Sequence, residues 1–554
     1  GRGELVLHPS RISSERQMRF IFELFDDVGI DSSKSQIRTS PSGPTFISCR
    51  LNRTILANLS GSNPLRAVHP LIFGGLQDLR NAATAPAPMP AISETKSTIK
   101  VGMLDGGVAH TVPLLNGHVE VDETLEIAST PEANAIAHGT AVAGALLYGE
   151  LNGLKGADRV DAPPVSVVSI RALPTSDPLD IDLYESIDVV ENAVSARSDI
   201  KVFNLSFGPR GPIQDDAISR FTYVLDSLAC THKVTFFVAV GNDGEIDGYN
   251  RIQAPADLVH GIGVGAFTRH GDDIVHASYS CRGPGRECGK IKPDVSAFGG
   301  SEDAPIHLAS TNFNEKLLAW GTSFASPLAA RLGAVLASSF DRSSPLLARA
   351  LLVHTAVPVE NKPDQLFGNG RIQSSVDDVL ACDSDSVTVV FQGDIVPTHI
   401  VRLPIPWPES GLHDGKARIT WTIGTLATIN PNHLDDYTCG CVEDTFYPHS
   451  SKFSFAPPKG ISRKARQINV DAESEAVNSL VLEGWKQSQF PLTESGNKYA
   501  DEKSRRIDCK WEPLVKRSVS KNVSSLHNPF LTLHAISRHE MHDRFDYVAV
   551  VTIR

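Results

Sequence analysis

The chain has 554 residues, too many for a single hydrophobic core, so roughly two to four domains are expected. With 41% hydrophobic and 21% charged residues, its composition is that of a soluble globular protein. A formal net charge of −12 argues against a dedicated nucleic-acid or anionic-membrane binder, which needs a basic surface, and no apolar run approaches the roughly 20 residues that span a bilayer.

Residues 1–80 read as a small α+β module. Leu5–Leu7 has the texture of a short strand, and Ser14–Val28 is an amphipathic helix with Met18, Ile21, Phe22, Leu24 and Phe25 apolar. Thr45–Leu51 reads as a strand, Thr54–Leu59 as a second helix and His69–Phe73 as a last strand. A further short strand over Gln36–Thr39 would complete a β-α-β-β-α-β order. Residues 81–97 read as a linker: Asn81–Pro90 lacks periodicity and carries three prolines, so an extended, exposed segment is expected, either a plain tether or a site of proteolysis.

From Ile99 short apolar runs alternate with helical stretches. The strands fall at Ile99–Leu104, Val165–Ile170, Lys201–Leu205, Val234–Val240 and Gly261–Gly265, and the helices at about Thr140–Leu147, Leu183–Ala196 and Asp215–Cys230. That alternation predicts a mostly parallel sheet with helices on both faces, over residues 98–380. Ligands of such sheets bind beyond the carboxyl ends of the strands, so the residues just past each strand matter most. Asp105 follows the first strand, ahead of two glycines. His138 opens the small-residue run His-Gly-Thr-Ala-Val-Ala-Gly, at the mouth of a helix. Asn242 follows the run ending at Val240. Ser323 lies in Gly321-Thr-Ser-Phe-Ala-Ser-Pro327, where a loop enters an Ala-rich helix and Pro327 is read as a tolerated first-turn proline.

Taken singly, Asp105 is a turn residue, His138 one of 19 histidines, Asn242 part of a common turn and Ser323 a helix cap. Together they supply an orienting carboxylate, a base, an oxyanion donor and a nucleophile, with the triad in the order Asp, His, Ser known for subtilisin. An α/β-hydrolase esterase would need Gly-x-Ser-x-Gly and the order Ser, Asp, His, and Ser323 has neither.

At these residues the chain resembles the subtilases, the subtilisin-like serine peptidases, over about Ile99 to Ser374. Asn204-Leu-Ser-Phe-Gly208, Ala277–Ser280, Lys292–Ala297, Leu347–Ala356 and Phe367–Ile372 match further family segments. The resemblance implies a serine endopeptidase acting through an acyl-enzyme, with Asp105, His138 and Ser323 as triad and Asn242 in the oxyanion hole. It implies substrate lying along Ser206, Phe207 and Gly208, and a pocket lined by Ala239, Val240 and Gly241 without a charged residue. It also implies that residues 1–80 are a prodomain of the inhibitor type, either lost from the wild type by a cut near residues 81–97 and retained in Ser323→Ala, or kept as a permanent inhibitory domain.

Two departures stand out: Gly106 replaces the usual Ser or Thr, and Ala141 the usual second histidine. They suggest a divergent bacterial branch, some of whose members are encoded beside an AAA-type ATPase, which makes such an ATPase a partner to consider besides the protein or peptide substrate. They are also the support for the alternative, a catalytically silent subtilase-fold binding or regulatory protein. No cofactor is implied. Calcium stays open, since no Asp-rich loop stands out.

Residues 381–554 turn to strands: Val387–Phe391, His399–Leu403, Ala417–Ile423, Phe530–Leu533 and Tyr547–Ile553 fit an antiparallel β-sandwich, decorated by a helix over Glu473–Gln489. The eight scattered cysteines are read as free thiols of a reducing compartment, hence a cytoplasmic protein with no membrane or nucleic-acid partner. Cys439-Gly-Cys441, His433, His449 and Cys509 match no zinc spacing, and His539 and His542 are three apart rather than the four of the helical zinc motif, so no metal residue is assigned.

Overall fold

The computed structural model describes residues 1–9, 14–40, 43–71, 80–92, 96–178, 180–340, 344–359, 362–407, 415–489 and 501–554. It forms two compact units, Gly1–Leu380 with Thr428–Tyr437, and Ala381–Ala427 with Thr438–Arg554.

The first unit begins with β1 (Arg2–Leu7), α1 (Ser14–Val28), β2 (Gln36–Thr39), β3 (Thr45–Arg50), α2 (Arg53–Leu59) and β4 (Leu65–Leu71), the element order expected. The expected strand end at Ile72-Phe73 lies outside the described residues. These strands form an antiparallel sheet in the order β2-β3-β1-β4. Two-residue alternation sends Leu5 and Leu7 under α1 and α2, where they meet Ile21, Leu24, Phe25 and Ile55. Val6 and Phe46 leave by the other face and join a different core.

Next come β5 (Asn81–Pro86), β6 (Lys100–Asp105), β7 (Val119–Val121), α3 (Ala133–Tyr148), β8 (Ser166–Arg171), α4 (Tyr184–Ala196), β9 (Val202–Leu205), α5 (Arg220–His232) and β10 (Thr235–Ala239). The unit continues with β11 (Ile262–His270), β12 (Asp273–His276), β13 (Val295–Phe298), β14 (Ile306–Ala309), β15 (Glu315–Ala319), α6 (Thr322–Ser338) and α7 (Pro345–Thr355). The main sheet runs β12-β11-β10-β9-β6-β8-β7, with β13 beside β11, and only β12 is antiparallel. From β6 the chain moves outward to β7 and β8, then crosses to β9 on the other side. The switch of winding direction therefore falls between β6 and β9, where a ligand crevice is expected.

Alternation again decides what each face meets. Phe203 and Leu205, like Phe236, Val238 and Val240, pack with α4 and α5. Asn204 and Phe237 face α6 instead: Asn204 Oδ1 accepts from Ser326 Oγ at 2.8 Å, and a Cβ at Gly333 would stand 2.3 Å from the Phe237 ring. Val6 and Phe46 complete the α4 and α5 side, with Phe46 stacked on Tyr223 at 6.0 Å.

Several boundaries differ from the sequence reading. Helix α3 begins at Ala133 rather than Thr140, because Ala-Asn-Ala-Ile-Ala propagates the helix upstream. Helix α5 begins at Arg220 rather than Asp215, where the Ser219 hydroxyl accepts the Thr222 N–H at 3.1 Å. Residues 81–86 are not a free tether. They pair antiparallel with β15 in the sheet β14-β15-β5.

The second unit contains β16 (Val387–Ile395), β17 (Ile400–Pro404), β18 (Lys416–Leu426), β19 (Gly440–Tyr447), β20 (Lys452–Ala456), β21 (Arg466–Asn469), β22 (Lys486–Gln489), β23 (Leu514–Asn522), β24 (Phe530–Ser537) and β25 (Phe545–Ile553). Sheets β16-β25-β18-β23 and β17-β24-β19 share a core of Ile395, Leu403, Ile419, Ile423, Leu531 and Tyr547, as a β-sandwich requires. The helix expected over Glu473–Gln489 ends at Leu482: Gly484, at φ 78°, turns the chain, and Lys486–Gln489 becomes a strand. Among the described residues no cysteine is joined in a disulfide. Among the described residues no helix is long and apolar enough to cross a membrane.

Candidate active site

Asp105 is the last residue of β6 and is fully buried. Helix α3 crosses the loop that follows it at a distance only glycine permits: a Cβ on Gly139 would stand 2.0 Å from the Gly107 carbonyl oxygen. The Thr140 hydroxyl fastens the crossing, accepting from the Ala109 N–H at 3.0 Å and donating to Ile136 O at 2.6 Å. His138 thereby comes over the carboxylate, with Nδ1 at 2.8 Å from Asp105 Oδ1. It stands in the second turn of α3, not at the helix mouth, since the helix starts five residues before it. An ionised Asp105 accepts from Nδ1–H and leaves the lone pair on Nε2.

The two departures from the family pattern have packing reasons. A Cβ on Gly106 would lie 2.5 Å from Ala135 Cβ and 2.8 Å from its carbonyl oxygen, so this crossing has no room for Ser or Thr. The Gly106 N–H supplies a bond to Asp105 Oδ1 at 2.7 Å. Ala141 is fully buried inside α3, where an imidazole would overfill the contact.

Ser323 is the second residue of α6, in the first turn at the positive end of the helix. Pro327 lies in the second turn, not the first, so its missing N–H leaves the Ser323 carbonyl without its i+4 partner. Ser206 fills the gap: its hydroxyl donates to Ser323 O at 2.9 Å, and the Ser323 hydroxyl donates to Ser206 O at 3.3 Å. Asn204 Nδ2 donates to Ser206 Oγ at 3.0 Å, which continues the chain of buried bonds to Ser326. Sequence reasoning placed Ser206 on the substrate edge but missed this inward role and the parts of Asn204 and Ser326. The signal was Pro327, four residues after the proposed nucleophile.

Asn242 follows β10. Its Oδ1 accepts from both the Thr322 N–H at 2.8 Å and the Thr322 hydroxyl at 2.9 Å. A main-chain donor cannot be reversed, so the amide orientation is fixed and the NH₂ group points away from Thr322 as a donor. Thr322 was not singled out in the sequence.

The pocket expectation needs one correction. Val240 is fully buried among the α4 and α5 side chains, on the opposite face from Ala239 and Gly241, so it lines no pocket. Asp243, the next residue after Asn242, is buried too: it pairs with Arg210 at 2.8 Å and accepts from Gln253 Nε2 at 2.7 Å. Phe207 is buried against Phe221 at 5.8 Å, while a Cβ on Gly208 would stand 2.3 Å from Ala254 O. Among the described residues no cluster of three or more His, Cys, Asp and Glu side chains is placed to hold a metal ion.

The subtilase family model matches residues 96–370, which span Asp105, His138, Asn242 and Ser323. This segment belongs to the subtilase family. Serine peptidase activity is what membership supports. The subtilase fold also has solved counterparts. The self-cleaved protease domain of PatA is 24% identical, covering 52% of this chain and 97% of that one with a TM-score of 0.39. Fervidolysin from Fervidobacterium pennivorans, a keratinolytic enzyme related to subtilisin, is 17% identical, covering 85% of each chain with a TM-score of 0.44. Sphericase is 22% identical, covering 52% of this chain and 93% of that one with a TM-score of 0.40. Comparison with curated protein sequences returned no match.

Proposed function

We propose that the chain is a serine endopeptidase in which Asp105 orients His138, His138 Nε2 takes the Ser323 proton as Oγ attacks a peptide carbonyl, and the imidazolium then protonates the leaving amine. The observation that carries this reading is the buried 2.8 Å bond between His138 Nδ1 and Asp105 Oδ1. Asn242 Nδ2 and the Ser323 N–H are the oxyanion donors, and the amide orientation fixed by Thr322 supports that role for Asn242. In this structure the Ser323 hydroxyl rests on Ser206 O, a resting bond that attack exchanges for one to His138.

The N-terminal module is an intramolecular inhibitor in this reading. Its sheet covers α4 and α5: Glu4 accepts from the Tyr184 hydroxyl at 2.8 Å, and Arg38 pairs with Asp188 at 2.5 Å. The chain leaves the module at Leu71, and at Arg80 it lies against Asn242. A fluorophosphonate probe is expected to label the wild type and not Ser323→Ala, and a peptide library to be cleaved by the wild type alone. Equal labelling of both would remove Ser323 as nucleophile, and no labelling of either would favour the catalytically silent alternative.

A further inference from the structure

The segment that precedes the subtilase core is built into the active-site loop. Strand β5 pairs with β15 from Glu315↔Pro86 to Ala319↔Asn81, and β15 leads directly into Trp320, Gly321, Thr322 and Ser323. The attachment continues on both sides. Downstream, the Ala87 N–H donates to Asn314 O at 2.8 Å, the Met89 N–H to Asp158 O at 2.8 Å and the Val160 N–H to Met89 O at 3.0 Å. Upstream, the Trp320 N–H donates to Arg80 O at 3.1 Å. Pro86, Pro88 and Pro90 fit this placement, since an edge strand that ends in prolines offers no donors to a further partner.

Arg80 makes the decisive contact. Its Nη2 donates to the main-chain oxygen of Asn242 at 3.1 Å, and its guanidinium lies 5.4 Å from the centre of the Tyr279 ring. Tyr279 is itself fixed: its hydroxyl donates to Gly300 O at 2.9 Å, and its carbonyl accepts the Gly244 N–H at 2.8 Å. Asn242 is thus held at two points, by Thr322 on the side chain and by Arg80 on the backbone. An oxyanion donor is effective to the extent that it is fixed before charge develops. Arg80 also brings a positive charge to the backbone of that donor, the sign that favours an oxyanion.

The geometry points to Arg80 as a positioning residue for Asn242, and so assigns Arg80–Pro90 to the working enzyme rather than to a fragment removed with the N-terminal module. This rests on the serine peptidase reading above. It moves the expected cut: one within residues 81–97 would take away Arg80 and release β5, so any processing must fall before Arg80.

The test uses the full chain as wild type, Arg80→Ala and Arg80→Lys, with the N-terminus of the active form determined by sequencing and intact mass. The active form is expected to retain Arg80, whether clipped or whole. Arg80→Ala is expected to lower kcat about tenfold with KM changed less than about twofold, since an anchor of the donor is lost and not a substrate contact. Arg80→Lys is expected to recover part of the loss, and the melting temperature to stay within about 2 °C, because the side chain is only half buried. An active form that begins after Pro86 with full kcat would overturn the inference. So would a wild-type kcat in Arg80→Ala, or a loss that follows a fall in melting temperature. If the wild type cleaves and Arg80→Ala matches it, only this inference fails; if the wild type neither cleaves nor labels, the peptidase reading fails and takes this one with it.

Discussion

The N-terminal module and the second unit are both β-rich and flank the same catalytic core in sequence, yet they bury their sheets differently. In the second unit two of the three sheets close on one another, and Ile419, Leu531 and Leu533 are fully buried within that shared core. The module has one sheet with two apolar faces. Its own helices cover Leu5, Leu7 and Ile47, while Val6 and Phe46 are buried by α4 and α5 of the catalytic segment. A sheet that must borrow its second cover can be held or released, whereas one that supplies its own cannot. That difference is what supports the proposed inhibitory part of the module.

Matched truncations at the two cores give the largest expected effect. Phe46→Ala removes a fully buried ring from the borrowed interface, and Ile419→Ala shortens a fully buried side chain in the self-made one; each is expected to lose about 2–5 kcal/mol. For Phe46 the loss falls on docking, because Phe46 belongs to the α4 and α5 core and not to the module's own. Peptide cleavage per labelled serine should therefore rise in Phe46→Ala and stay at the wild-type level in Ile419→Ala, while denaturant unfolding shows both losses. Equal cleavage rates in the two variants would erase the distinction.

Ser206→Ala sharpens the comparison from inside the site, since it acts on the proposed nucleophile Ser323 without touching either appendage. It strands the Ser323 carbonyl that Pro327 leaves without a helical partner and breaks the path to Asn204 and Ser326. A loss of about 10- to 100-fold in kcat is expected, with KM and module docking little changed, since misplacing a nucleophile acts on the transition state. A changed KM with unchanged kcat would instead return Ser206 to the substrate edge alone.

Much of this was legible in the sequence because it is local or periodic. The alternation of apolar runs and helices from Ile99 specifies the parallel sheet, and Asp105, Asn242 and Ser323 sit at or just past strand and helix ends, while His138 lies one turn inside α3. What escaped is long-range or composition-blind. Nothing in Asn-Ala-Ala-Thr-Ala-Pro resembles a strand; it becomes one because β15 offers an open edge. Ser206 and Ser323 are 117 apart in sequence, and only the fold reveals that one completes the other's helix. The upstream start of α3 was hidden because its N-cap, Glu132, makes no side-chain capping bond. Val240 was assigned to a pocket for lack of a sense of which face its strand turns to the core.

The smallest expected effect tests whether the borrowed interface responds to protons. Asp182 stands just before α4 and is buried under the module's sheet. Burial raises its carboxyl from the ordinary 3.8 to about 7; the Ser48 side chain and Arg2 pull it down, while Glu4 and Asp180 push it further up. Glu4 in turn pairs with His69 at 3.2 Å. A carboxyl whose pKa is higher in the docked state than in the released one binds an extra proton on docking. The docked state is therefore favoured most below about pH 4, loses that advantage as pH rises toward 7, and changes no further above it. Asp182→Asn mimics the neutral acid at every pH. It is expected to tighten docking by about 1–2 kcal/mol at pH 8, discounted from the full shift for solvent relaxation, and to leave it unchanged at pH 4. Autoinhibited cleavage rates across that range check this: the wild type should be released more readily toward pH 8 and Asp182→Asn should run flat. A variant that shifts cleavage equally at both ends would show Asp182 acting through packing alone.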